Sequence, residues 1–160
     1  MESWRKVWRE GFASQLSDSS VEALRLALLQ DDPRLLQGAT TLPPPLQCVQ
    51  DWPVEAGCVL GFCGAIENGG FGKDGATVQQ AEQFFAEKCF EADRLLGEPA
   101  ACRHFLNFFD ETPRDEMRRL LLSEVNREQA RRNARGNSDV DDGLHQRSAE
   151  ETGHAVRLHS

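Results

Sequence analysis

Apolar side chains recur at helical spacing between Thr77 and Gly97, and a segment of this kind folds by packing one face against other elements. The apolar residues follow helical steps as far as Gly97: Val78, Ala81, Phe84, Phe85, Ala92, Leu95 and Leu96. Gln80 follows Thr77 at the spacing of a capping box, and glycine is the usual residue just beyond a helix end. The segment predicts an amphipathic α-helix that ends at Gly97.

Other segments show the same pattern. A helix over residues 4–16 is predicted from one stripe of apolar side chains: Trp4, Val7, Trp8, Phe12 and Leu16. Ser19 and Glu22 have capping-box spacing and predict a helix over residues 20–30. Pro99 opens a helix whose apolar groups cover most of its circumference, so we expect it at the centre of the fold. A last helix begins after Thr112 and is expected to end near Arg135.

Two segments remain outside this helical pattern. Residues 58–66 are short and apolar, and periodicity does not separate a strand from a buried helix at this length. Both structures stay open, and a short strand is the favoured interpretation. From residue 136 onward large aliphatic residues are sparse, which is typical of disorder. The predicted fold class is mainly α, with about five helices in one domain over residues 1–135 and a disordered tail over residues 136–160.

Charge and composition exclude several functions. The chain has 160 residues and a formal net charge of -8. Binding to nucleic acid or to an anionic membrane needs a basic surface, so neither is expected as a partner. The longest apolar run, residues 57–66, is too short to cross a bilayer, and residues 1–6 carry charges where a signal peptide needs an apolar stretch. We therefore predict a cytoplasmic protein.

Two patterns suggest a cofactor or a metal but lack the rest of such a site. Residues 70–75 match the glycine spacing of a dinucleotide-binding turn, yet the second strand and its acidic residue are missing. Cys48, Cys58, Cys63 and His104 are zinc-ligand types, but no second pair with zinc-module spacing follows. The five cysteines are odd in number and form no CxxC pair, which favours reduced thiols. We predict no cofactor and no metal.

The phenylalanine-rich helix carries the first candidate binding residues. Phe105 and Phe109 share one face with a core position, whereas Phe108 lies on another face with His104 and Glu111. An aromatic residue framed by polar groups is typical of a protein docking surface. Nothing in the sequence orients a histidine with a cysteine for nucleophilic chemistry, so no catalytic residue is predicted.

Arginines crowd the last predicted helix. Residues 113–135 contain seven arginines and four acids, and Arg127, Arg131 and Arg132 lie toward the end. A solvated helix face that complements the helix dipole is the favoured interpretation. The alternative is a strip that binds phosphates or an acidic partner.

Two stretches resemble segments of small bacterial proteins of unknown function. They are residues 31–45, DDPRLLQGATTLPPP, and residues 96–114, which include FFDETPR. The resemblance implies a bacterial origin and no activity, so no functional residue is transferred from it.

These observations favour a helical protein–protein interaction or regulatory module without catalytic activity. Its partner would be an unknown protein or a second copy of the chain. The alternative is a small enzyme or ligand-binding protein with a site near Cys48, Cys63 and His104, where a thiol and an imidazole would supply the chemistry.

Overall fold

The fold is mainly α-helical, as predicted. The computed structural model describes the backbone of residues 1–46 and 51–159 and the side chains of residues 1–46 and 51–137. The α-helices in this part of the chain are α1 (Ser3–Val7), α2 (Asp18–Gln30), α3 (Val59–Glu67), α4 (Val78–Leu96), α5 (Cys102–Glu111) and α6 (Arg114–His159). Two short antiparallel strands, β1 (Thr41–Leu42) and β2 (Ala56–Gly57), pair Thr41 with Gly57.

The strand favoured over residues 58–66 is wrong, because this segment forms the alternative structure, the buried helix α3. Cys58 begins the helix, and its sulfur accepts a hydrogen bond from the Gly61 backbone N–H at 3.4 Å. A side chain at Gly61 would collide with the Thr40 carbonyl oxygen, and one at Gly64 would meet the Phe84 ring. The glycines therefore allow close packing of a buried helix and do not interrupt a strand.

Helix α3 lies at the centre of the fold, and the prediction that the phenylalanine-rich helix does so is wrong. Residues 59–65 are all buried, and α3 packs against α2 and α4. Helix α5 buries Phe105 and Phe109, whereas Arg103, His104 and Asn107 are exposed. Helix α5 is therefore one-sided and packs mainly against α1.

The first predicted helix is divided. Helix α1 is followed by a π-helical turn, Trp8–Phe12, and a 3₁₀ turn, Ala13–Gln15. The Gln15 side-chain amide donates hydrogen bonds to the carbonyl oxygens of Gly11 at 2.7 Å and Lys88 at 3.0 Å. The Gln15 side chain thus satisfies a carbonyl group of the π-helical turn near the end of the helical segment. The predicted apolar stripe is nevertheless buried throughout: Trp4, Val7, Trp8, Phe12 and Leu16.

The capping patterns predicted the ends of α4 correctly and the start of α2 incorrectly. Helix α4 has the predicted capping box of Thr77 and Gln80, and Gly97 ends it in the left-handed conformation with φ of 66°. Helix α2 begins two residues earlier than predicted, because Ser17 and not Ser19 accepts the hydrogen bond from the Ser20 N–H. Glu22 instead pairs with Arg25.

Helix α6 follows Pro113 as predicted and is described as far as His159, beyond the end predicted near Arg135. The separate prediction of a disordered tail over residues 136–160 stays a prediction, because the side chains after Asn137 lie outside the described residues. Among the described residues, the helices lack the combination of length and apolar composition that a membrane span needs.

Candidate interaction surface

The junction of α4 and α5 is organised by one carboxylate. Helix α4 ends at Gly97, and the chain turns at once into α5. Asp93, in the last turn of α4, accepts hydrogen bonds from the backbone N–H groups of Ala100 at 3.1 Å and Cys102 at 2.8 Å. The first N–H groups of a helix have no partner within the helix, and Asp93 supplies one from the neighbouring element.

Ala100 has a backbone conformation that alanine rarely adopts. Its φ is 59°, in the left-handed region where a Cβ atom is crowded and glycine is favoured. The hydrogen bond from its N–H to Asp93 holds this conformation. An exposed alanine is therefore kept at a strained position in the turn between two helices.

Phe90 projects from α4 on the side away from the core. Its side chain is 73% exposed, whereas Ala81 and Ala92 of the same helix are fully buried. At about 100° per residue, Phe90 lies about 180° around the helix from Ala81 and about 160° from Ala92. A large aromatic ring is thus held outward by a helix whose opposite face is anchored.

A shallow depression adjoins the Phe90 ring. Phe90, Arg94, Gly97, Glu98, Pro99 and Ala100 are all exposed and line it together, and we call these six residues the α4–α5 corner. Arg94 pairs with Glu91 along α4. Glu98 lies 3.6 Å from Nε2 of His104. The corner combines an apolar floor with a charged rim, which is the usual composition of a protein docking site.

The structure places His104 at the edge of this corner. Its side chain is 48% exposed, and its nearest acidic neighbour is Glu98, not the predicted Glu111. Glu111 is exposed at the end of α5. Of the predicted group, His104 alone contacts a residue of the corner, and the docking face of Phe108, His104 and Glu111 stays a prediction.

Phe108 packs against the N-terminal helix. Its ring stacks on that of Trp4, with ring centroids 3.7 Å apart and an interplanar angle of 7°. The guanidinium of Arg5 lies 4.5 Å from the centre of the same indole. Phe108 is therefore half-buried, and one side of its ring is already occupied.

The arginines of the predicted strip differ in their contacts. Arg132 donates to the carbonyl oxygens of Ala13 at 2.6 Å and Leu16 at 2.9 Å, and it also pairs with Glu128. Arg131 pairs with the same Glu128. Arg127 is exposed. Arg132 thus has a structural role, because it closes the end of the N-terminal helical segment.

The residues of the alternative site have unequal access to solvent. Cys63 is completely buried in α3, and desolvation raises the pKa of its thiol. His104 lies on the surface of α5, and Cys48 lies outside the described residues. The four described cysteines are free: Cys58, Cys63, Cys89 and Cys102. Within the described residues, no three His, Cys, Asp or Glu side chains are arranged to hold a metal ion.

The glycine motif forms a loop closed on itself. It follows helix α3 and not a strand. The Gly70 N–H donates to the Ala65 carbonyl at 2.7 Å, and the Gly70 carbonyl accepts from the Ala76 N–H at 2.7 Å. Phe71 packs against Phe62 with ring centroids 5.3 Å apart. The loop therefore joins α3 to α4 and lacks the strand that precedes a dinucleotide-binding turn.

Phe90 was not among the predicted binding residues, although its position in the helix gave a signal. Phe90 is the large apolar residue of the Thr77 segment that falls outside the helical stripe. A phenylalanine out of phase with the buried face is expected at the surface, and this would have marked it. The strained Ala100 and the capping role of Asp93 had no comparable signal, because both depend on the turn between α4 and α5.

No protein-family model, no curated protein and no solved structure matches this chain.

Proposed function

We propose that this chain is a helical protein–protein interaction module that binds through the α4–α5 corner. The partner would be a protein surface with a hydrophobic socket for the Phe90 ring and charges that face Arg94 and Glu98. The chain would act by binding and not by catalysis.

The exposure of Phe90 carries this proposal. Its ring is 73% exposed on a rigid helix and adjoins an apolar depression. Aromatic side chains are enriched among the residues that dominate binding energy, because they bury a large area at a small cost in side-chain entropy.

Other exposed apolar side chains are weaker candidates for the binding surface. Leu26 and Leu29 on α2 are 37% and 54% exposed, but they offer no aromatic ring. Trp52 is 58% exposed in an irregular segment directly after residues 47–50, which lie outside the described part. Sites held on helices have better-defined geometry than sites on loops.

Affinity capture from the cells that naturally express the protein tests the proposal. Phe90→Ser removes the ring, and Leu95→Ser is the matched control, because Leu95 is also an exposed apolar residue of α4 and lies about 140° away around the helix. Both variants should keep the thermal midpoint of the parent chain, since neither residue is buried.

We expect the parent chain and Leu95→Ser to retain the same protein, whether another protein or the chain itself, and Phe90→Ser to lose it. Equal retention by all three chains would show that binding occurs elsewhere and would overturn the proposal. A large fall in the midpoint of Phe90→Ser would also overturn it, because Phe90 would then be a core residue.

A further inference from the structure

We infer that Cys89 of α4 and Cys102 of α5 are a redox-sensitive pair, which hydrogen peroxide converts into a disulfide between the two helices. This inference goes beyond the proposed function and does not depend on binding at the α4–α5 corner. Three observations carry it: the contact between the two thiols, their unequal access to solvent and the position of Asp93.

The two thiols meet between α4 and α5. Cys89 lies one helical turn before Asp93, so these two side chains share a face of α4. Asp93 accepts a hydrogen bond from the Cys102 backbone N–H at 2.8 Å, which holds the first residue of α5 against that face. The thiols of Cys89 and Cys102 are hydrogen-bonded to each other. They therefore meet the first requirement of a disulfide, which is that the two side chains point toward each other.

Cys89 gives the pair access to solvent. Its side chain is half-buried, whereas Cys102 is 8% exposed and lies behind it. Cys58 and Cys63 are buried, and the Cys58 sulfur already accepts a hydrogen bond from the Gly61 N–H. A small oxidant therefore reaches Cys89 first and finds a second thiol in contact with it.

Asp93 also provides a proton acceptor for the reaction. The Cys102 thiol donates a hydrogen bond to the Asp93 carboxylate, which can take the proton as the sulfur forms a new bond. Burial raises the pKa of both thiols, and the Asp93 carboxylate raises that of Cys102 further. Because thiolate is the reactive form, the pair stays reduced at low levels of oxidant and reacts slowly.

The disulfide forms in two steps. The Cys89 sulfur loses its proton to solvent and attacks one oxygen of hydrogen peroxide; an S–O bond forms, the O–O bond breaks, and the released hydroxide takes up a proton as water. The Cys102 sulfur then attacks the sulfenic acid sulfur of Cys89; the S–S bond forms, the S–O bond breaks, and hydroxide leaves as water with the Cys102 proton, by way of Asp93. Two thiols and one peroxide thus give one disulfide and two waters.

Peptide mapping of the folded chain after peroxide treatment tests the pair. Digestion without reduction should release a peptide that joins Cys89 to Cys102, with the mass of its two parts less two hydrogen atoms. Cys58 and Cys63 should still be alkylated once the chain is unfolded, because they are buried during the treatment. A Cys89 joined to another cysteine, or left as a thiol under conditions that oxidise the unfolded chain, would overturn the inference.

Serine variants separate the pair from the other cysteines. Cys102→Ser keeps a hydroxyl that can donate to Asp93 but cannot form the disulfide, so peroxide should leave Cys89 as a sulfenic acid that dimedone traps. Cys48→Ser is the control and should form the same disulfide as the parent chain. Loss of the disulfide in Cys48→Ser, or dimedone labelling of Cys89 that is as strong in the parent as in Cys102→Ser, would contradict the pairing.

The disulfide should also stabilise the fold. It closes the segment from Cys89 to Cys102 and so restricts the unfolded chain. The thermal midpoint of the oxidised parent should exceed that of the reduced parent by about 5 to 10 °C, and dithiothreitol should reverse the change. Cys102→Ser should show no such rise after peroxide, which controls for oxidation of other residues. An unchanged or lower midpoint in the oxidised parent would contradict a disulfide that fits the folded chain.

Discussion

Asp93 shows how one side chain builds the corner. Its two carboxylate oxygens accept from the N–H groups of Ala100 and Cys102, so they join the end of α4 to the start of α5. The hydrogen bond to Ala100 holds that residue in the left-handed region. Glycine substitutions at Ala100 and at the adjacent Ala101 separate the energetic cost of this strain from the destabilisation that glycine ordinarily causes.

Ala100→Gly should stabilise the fold, and Ala101→Gly should destabilise it. Glycine relieves the positive φ at Ala100, for a net gain of up to about 1 kcal/mol after its greater freedom in the unfolded chain. Ala101 has helical angles, φ of -57° and ψ of -33°, and is buried, so glycine there should cost about 1 kcal/mol. Urea unfolding of both variants measures the difference. Equal losses would show that Ala100 is not strained.

The carboxylate of Glu124 makes the stability of the fold depend on pH. Its side chain is 2% exposed and accepts hydrogen bonds from Arg9 at 2.8 Å and Arg5 at 2.7 Å. These guanidinium groups, Arg9 foremost, hold the pKa of Glu124 below its ordinary value of 4.5. A lowered pKa adds stability that is fully present above the ordinary value and is lost as pH falls through the lowered one.

Glu124→Gln should therefore cost about 2 kcal/mol at neutral pH, because buried charge-assisted hydrogen bonds are lost. The difference in thermal midpoint between this variant and the parent should shrink as pH is lowered from about 7 to about 3. Thermal unfolding at several pH values measures it. A difference that stays constant with pH would show that the Glu124 charge does not contribute.

The elements are tied together by arginines of α6 that bind carbonyl groups at the ends of other helices. Arg118 donates to the carbonyl oxygens of Leu28 at 2.8 Å and Leu29 at 3.1 Å, which are among the last of α2. Arg132 does the same for Ala13 and Leu16. A positive group at a helix end also interacts favourably with the helix dipole.

Arg132→Ala should destabilise the chain by about 2 to 3 kcal/mol, because two carbonyl groups lose a donor and the buried Glu128 loses one of its two arginines. Arg127→Ala is the control and should change stability by less than about 0.5 kcal/mol, since Arg127 is exposed. Equilibrium urea unfolding compares them. If both variants changed the free energy of unfolding equally, Arg132 would have no structural role, and the exposed arginine strip predicted from the sequence would be favoured.

The elements also differ in how far the sequence predicts them. The signals of α4 are local: Thr77, Gln80 and Gly97 lie at its own ends. The identity of α3 depends on distant contacts, because Gly61 and Gly64 are needed for the approach of Thr40 and Phe84. A local pattern cannot report such contacts, and the strand prediction failed for that reason.

In the whole molecule, α6 lies along α2 and ties the N-terminal segment to the body. Arg132 is the last residue whose side chain has a described hydrogen bond to the N-terminal segment. The candidate surface lies elsewhere, at the junction of α4 and α5, and could be predicted only in part. Helical phase points to Phe90, whereas the depression beside it exists only because the chain turns at Gly97 and Ala100.

Truncation after Arg135 should leave the fold intact, because the described ties of α6 to the rest of the chain precede that residue. We expect the thermal midpoint to change by less than about 3 °C and binding through the corner to persist. A fall of about 10 °C or more would show that residues 136–160 are part of the packed structure.

The central claim is that the chain binds through the α4–α5 corner, and residue-resolved NMR tests it most directly. Amide spectra of the parent chain are compared at increasing protein concentration, and also on addition of any partner recovered by affinity capture. The account predicts shift changes concentrated at Phe90, Arg94 and residues 97–100, and their absence in Phe90→Ser. Changes centred on Leu26 and Leu29 or on Trp52, with the corner unaffected, would contradict it.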